Sequence, residues 1–195
     1  MKNLESMRDG LVTIGRKISY DDVMSDWVER EESTWDEFAK NRGYDSVREW
    51  RESYLENFGL LGLDNWFEAE VKDLVEFMKN LYIGPYNGWR DYYGNDRDNA
   101  TFVGNLDKPR GIEEKGSIRE NLKVQNFVKK FKDSAELIAV YDGVKFCLID
   151  GHHRASALAV MIDEGKDVSG ISVHLKLLDL SGDQGAFDRF FYFEG

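Results

Sequence analysis

The sequence predicts an α+β fold, with an all-helical N-terminal layer over residues 1–100 and a small mixed sheet with helices over residues 101–195. Three observations lead there. Helix-start signals recur through the first half, at Ser19, Thr34 and Ser46. Asp142-Gly143 separates two apolar runs, which is a strong hairpin signal. At Asp150 the second of those runs stops and an Ala-rich segment begins at once, as at a strand-to-helix junction.

Taken in order, Ile18-Ser19 followed by Asp22 and Val23 reads as a Ser cap with an Ile18–Val23 staple, so a helix starts near Ser19 and runs through Trp27. Thr34-Trp35-Asp36-Glu37 and Ser46-Val47-Arg48-Glu49 are two capping boxes either side of Gly43, which predicts two helices joined by a tight turn. In the second, Val47, Trp50, Tyr54 and Phe58 recur at helical spacing, opposite Arg48, Arg51 and Glu52. An amphipathic helix normally buries such a stripe, so it is read as core rather than as a ligand or partner groove. Trp66–Tyr82 shows Phe67, Val71, Leu74, Val75, Met78 and Leu81 on one helical face, with Gly84-Pro85 as the stop, and is expected to be a longer helix.

From Gly84 to Gly111 turn formers mix with Trp89, Tyr92, Tyr93, Arg90 and Arg97, which predicts a long loop or a few short turns, serving either as a substrate loop or as a packed connector. Ser117-Ile118-Arg119-Glu120 is a further capping box ahead of Val124, Phe127, Val128 and Phe131. Then come the strands Glu136–Tyr141 and Val144–Ile149, the helix Ala155–Glu164 stopped by Gly165, and the alternating strand Ile171–Leu177. The aromatic segment Asp188–Phe193 is expected to pack back on the core or on another subunit.

Composition bounds the function classes. At 42% hydrophobic residues the chain can bury a core, and 195 residues accommodate one such core plus an extension. A net charge of -11 disfavours duplex DNA as a partner, while small anions and nucleotides remain allowed through short-range bonds. Cys147 is the lone cysteine, so a disulfide within the chain and a four-thiolate metal site are both excluded, and a reducing cytoplasm fits best. No run reaches the ~18 apolar residues that a membrane span needs.

The candidate site is Asp150-Gly151-His152-His153-Arg154. Where a strand hands over to a helix, the first-turn amides point beyond the strand end and need an acceptor, and the helix dipole favours an anion there. Gly151 permits close approach, Arg154 offers a planar fork of donors to phosphate, and His153 can donate beside it. His152 can bind or transfer a proton, and Asp150 can act as base or metal ligand. Two other readings stand beside this one. Asp150 could simply cap the helix, or zinc could be held with help from His174 and Cys147, although adjacent helical residues point ~100° apart. Cys147 itself reads as core. Arg119 and Lys123, on the preceding helix, are candidates for a second side of the pocket or for a solvated face.

From Ser117 to Leu178 the chain resembles the ParB/sulfiredoxin superfamily, the resemblance resting on Leu137-Ile-Ala-Val, Phe146-Cys-Leu-Ile-Asp-Gly-His-His-Arg and the Ala-rich helix after it. The corresponding box reads Gly-Glu-Arg-Arg in ParB-type proteins and Gly-Cys-His-Arg in sulfiredoxins. Gly151 and Arg154 match both, and His153 matches the second. His152 departs from both and stands where sulfiredoxins keep their catalytic cysteine, so sulfinic acid reduction is not implied. The helix-turn-helix region that follows the box in segregation proteins has no counterpart here. Asp-Gly-His-His-Arg is similar to the box of other members, free-serine kinases among them. The resemblance implies binding of a nucleoside triphosphate, ATP or CTP, or of a phosphorylated small molecule. Phosphoryl transfer or nucleotide hydrolysis with magnesium is the implied chemistry. The alternatives are a non-catalytic nucleotide-sensing or protein-interaction module, with a homodimer or protein partner on the helical layer, and a ParB-like nuclease served by Lys129, Lys130 and Lys132.

Overall fold

The computed structural model describes residues 10–86, 88–109 and 116–193. These form an α+β fold, a six-stranded mixed sheet covered on both faces by six helices. The strands are β1 (Val12–Ile18), β2 (Trp66–Val71), β3 (Leu81–Tyr82), β4 (Ser134–Tyr141), β5 (Phe146–Asp150) and β6 (Ser172–Asp179), in the order β1-β2-β6-β4-β5-β3. The β4–β6 and β3–β5 pairs are parallel, and the rest antiparallel.

The helices are α1 (Tyr20–Asn41), α2 (Val47–Asn57), α3 (Leu74–Lys79), α4 (Leu122–Lys129), α5 (His152–Asp163) and α6 (Gln184–Phe191). Side-chain alternation along β4 and β5 sorts them into two layers. Leu137, Ala139, Phe146 and Leu148 face α3, α4 and α5, whereas Ile138, Val140, Cys147 and Ile149 face α1, α2 and α6. Both faces being covered, β4 and β5 read as nearly continuous apolar runs rather than as alternating ones.

The structure corrects the expected all-helical first half. Val12–Ile18 is an edge strand, and Trp66–Tyr82 is no helix: it divides into β2, α3 and β3. Phe67-Glu68-Ala69-Glu70-Val71 has period 2 as well as apolar residues four apart, and sheet burial of Phe67, Ala69 and Val71 decides in favour of strand. Asp73 then caps α3 by accepting from the Glu76 amide, and Val75, expected in the core, is exposed. The first hundred residues thus supply β1, β2 and β3 to the same sheet as β4, β5 and β6, and the expected boundary at residue 100 falls between strands of one sheet.

Other boundaries move less. Ser19 caps α1 in a full capping box with Asp22, but Thr34 lies inside this single 22-residue helix instead of starting another. Ser46 caps α2. The Ser117 and Glu120 bonds form and close only a turn; α4 begins afterwards under Asn121, whose Oδ1 accepts from the Lys123 and Val124 amides. The hairpin is present, with the tight reversal centred on Gly143-Val144 and the Asp142 carboxylate accepting from the Val144 and Lys145 amides. The described residues between Gly84 and Lys108 contain three short 3-10 turns, the end of the expected Gly84–Gly111 loop lying outside the described residues, and α6 packs Phe187, Phe190 and Phe191 into the core. Among the described residues no helix is long and apolar enough to cross a membrane.

Candidate functional site

A cavity of about 770 Å³ opens where β5 ends and α5 begins. The first residues of β4, paired antiparallel to β5, form one side, and the end of α4 adjoins them. The opposite layer closes the cavity with Arg30, Glu31, Thr34 and Trp35 of α1 and Trp50, Arg51 and Tyr54 of α2. The site therefore joins the two layers across the end of the sheet.

Gly151 makes the junction possible. Its φ is +97°, and a Cβ there would lie 2.4 Å from Leu137 Cδ2. The left-handed backbone strains any side chain there, and Leu137 would have to shift to admit one. Gly151 stands at the N-cap of α5 and supplies no side-chain cap, so the helix start opens into the cavity with its dipole uncompensated by an acidic residue in the first turn. Asp150, the last residue of β5, does not cap this helix: its Oδ2 accepts from Arg154 Nη2 at 3.1 Å, one turn on.

The two histidines differ. His152 is buried, and its Nε2 accepts from the Gly84 amide at 3.1 Å, which places the ring proton on Nδ1. Trp89 lies tilted over the ring at 5.0 Å, with Tyr86 edge-on at 5.3 Å. Burial pushes the imidazole well below its usual range, with His153, Arg97 and Arg51 adding to the effect. Neutral, enclosed and already engaged through Nε2, His152 ties the loop to α5 and has no lone pair left for a ligand's proton. His153 is half-buried, 5.1 Å from Trp89, and lines the cavity; burial, then Lys123, lowers it to about 4.

The expected second side of the pocket divides. Lys123 does not line the cavity, although its Nζ lies 6.0 Å from the ring of Trp35, which does. Arg119 does not reach the cavity. It holds Asp107 at 2.7 Å and Asp163 at 2.6 Å, joining the loop to the end of α5. His174 and Cys147 are also elsewhere: His174 is exposed on β6, and Cys147 is buried in β5 with Arg97 Nη2 3.0 Å from its sulfur. Among the described residues no three His, Cys, Asp or Glu side chains are grouped to hold a metal.

No family model, curated protein or solved structure matches the chain. Its chemistry must be read from the cavity.

Several residues of the site escaped the sequence reading. Arg51, assigned to the solvent face of α2, stacks on Trp50 at 4.2 Å and on Trp27 at 4.9 Å, and its Nε donates to Glu31 Oε2 at 2.6 Å. Burial raises the Glu31 carboxyl, and the neighbouring Asp150 charge raises it further, against the lowering by Arg51. Trp50 and Tyr54, expected in the core, show one side to the cavity, as do Trp35, Tyr86 and Trp89. The arrangement combines donors for an anion, an aromatic wall for a flat apolar group, and two interacting carboxylates.

Proposed function

We propose that the cavity binds a nucleotide or phosphorylated small molecule, with a phosphoryl group at the start of α5 and the base or other flat moiety against Trp35, Trp50 and Trp89. The observation that carries the reading is the uncapped N-terminus of α5, opening through Gly151 into an aromatic-walled cavity of nucleotide size. Backbone amides and Arg154 take the phosphoryl oxygens, and His153, neutral in the open site, is drawn toward protonation by the anion. The succession α4, β4, β5, α5, β6 around Asp150–Arg154 supports a ParB/sulfiredoxin-like assignment, and nucleoside triphosphates such as ATP or CTP are the favoured ligands.

Glu31 and Asp150 both line the cavity, and if they released Arg51 and Arg154 they would be the carboxylates available to magnesium, which commonly takes one or two carboxylates together with phosphate oxygens. Such an ion would neutralise charge during phosphoryl transfer or nucleotide hydrolysis. Where Asp150 does not hold the metal it is instead the candidate base, with Arg154 fixing its orientation.

The experiment is ligand-dependent melting with ATP, CTP, GTP and phosphate, with and without magnesium, on the wild type and Arg154→Ala. Ligand at 100 times its dissociation constant adds about 2.7 kcal/mol, which for a chain of this size raises Tm by about 5–11 °C. If no anion shifts the wild type, or Arg154→Ala responds equally, the reading fails. A sensing module without turnover is the second reading, favoured by the engagement of His152 with Gly84, which removes one proton acceptor from the site. Binding with no release of phosphate would select it.

A further inference from the structure

Arg30 lines the cavity from the layer opposite α5. Its Nε donates to the Asp26 carbonyl at 3.1 Å and lies 3.3 Å from Glu136 Oε2, so among the described residues the guanidinium is anchored on that side. Nη1 and Nη2 are buried and have no hydrogen-bond partner among the described residues. Arginine keeps its charge under any condition in which the protein folds, and buried cationic donors without an acceptor are costly. The Tyr86 hydroxyl, another cavity group, is likewise buried and without a partner among the described residues.

Glu136 relates these donors to the start of α5. Its carboxylate faces Arg30, while its backbone carbonyl lies 3.4 Å from where a Cβ of Gly151 would be. Arg30 thus meets the side chain, and the start of α5 the backbone, of one residue of β4, and all of them line the same cavity. The cavity lining carries five Lys and Arg side chains against three carboxylates, an excess of two positive charges in a chain of net charge -11.

We infer that Arg30 is a second anion-binding residue, meeting from the α1 layer the same group that α5 and Arg154 hold from the other, and that this group is a tetrahedral oxyanion. A carboxylate presents two oxygens in one plane, which a single fork of donors satisfies. A phosphoryl group presents three or more terminal oxygens diverging in space, so two layers can address it at once, and its double negative charge matches the excess. The inference rests on the proposed binding of phosphate at α5.

The test uses the full chain with inorganic phosphate, and with acetate at equal ionic strength, comparing wild type, Arg30→Met, Arg30→Lys and Arg154→Ala by melting and by broadening of the phosphate ³¹P resonance. Phosphate, not acetate, should stabilise the wild type. Arg30→Met should melt at or above the wild type without ligand, since it removes unpaired buried donors, and should bind phosphate about tenfold to a hundredfold more weakly, as loss of a charge-assisted bond predicts. Arg30→Lys should recover part of that binding. Full phosphate response in Arg30→Met, equal responses to acetate and phosphate, or a ligand-free Arg30→Met that melts far below the wild type would each overturn the inference. Loss of response in Arg154→Ala alone would sink only this inference, whereas no anion response in the wild type would sink the parent reading as well.

Discussion

Replacing His152 with Phe separates a positioning role from a chemical one. The Phe ring keeps the packing against Trp89, Tyr86 and Phe102 but removes the acceptor for the Gly84 amide, 3.1 Å away in the wild type. Gly84 cannot readily turn aside: even a Cβ there would lie 2.1 Å from the Leu148 carbonyl oxygen and 2.9 Å from His152 Nε2, so its backbone is pressed against β5 and the ring. The orphaned amide should cost about 1–3 kcal/mol. At about 2–4 °C per kcal/mol for a chain of this length, Tm should fall by between about 2 and 12 °C. His152→Gln, whose side-chain oxygen can reach the same amide, should recover part of the loss. Urea unfolding gives the free energy, and the slope should stay unchanged if only stability is altered. Wild-type stability in His152→Phe, with anion binding or turnover abolished in both variants, would refute the positioning role and return His152 to the chemistry.

Further outcomes follow from the same geometry. His153, held at about 4 against an ordinary value of 6.5, favours the folded state while neutral; its contribution is complete above pH 6.5 and is lost as pH falls toward 4, so His153→Asn should flatten stability against pH across that window. Phosphate binding should raise the His153 value, so calorimetry in buffers of different ionisation enthalpy should show proton uptake on binding near pH 6. Gly151→Ala should destabilise by at least the ~1–2 kcal/mol of a left-handed non-glycine residue and abolish the anion response, which denaturation and melting with phosphate would show together. Arg119→Ala, with its partners on the surface, should shift Tm by no more than about 4 °C and leave the anion response intact.

Legibility in the sequence followed the range of the interactions that decide each element. The hairpin, α5, β6 and the Ser19 and Ser46 caps are set by neighbours a few residues apart, and they stand within about three residues of where local signals put them, the hairpin turn one residue later than Asp142-Gly143. Phe67–Val71 fits helix and strand equally, and the choice lies with β6, more than a hundred residues away, whose Leu175 and Leu177 pair with Ala69 and Phe67. Val12–Ile18 carries Gly15, Arg16 and Lys17 and looks polar because it is an edge strand, with Arg16 clasping Glu68 across the pair. Asp150–Arg154 was visible because a glycine between an apolar strand and a helix has few other meanings. Its partners Arg30, Glu31 and Arg51 were hidden, since on a helical wheel they resemble any solvated face.

That concealment has a physical origin in the sheet. A site at the end of β5 needs a wall on each face, and β4 and β5 carry apolar side chains to both. The wall behind the sheet is α1 and α2, whose aromatic stripe does two things: Trp50 packs with Trp35 and Phe38 between the helices, and the same rings border the cavity. Arg51 can lie in that apolar setting because Trp50 and Trp27 stack on its guanidinium and Glu31 accepts its hydrogen bond. A charge held this way is neither a core residue nor a solvated one, and no period in the sequence distinguishes it. Changes in α1 and α2 should therefore alter ligand response without moving Asp150–Arg154, because each layer supplies donors that the other lacks.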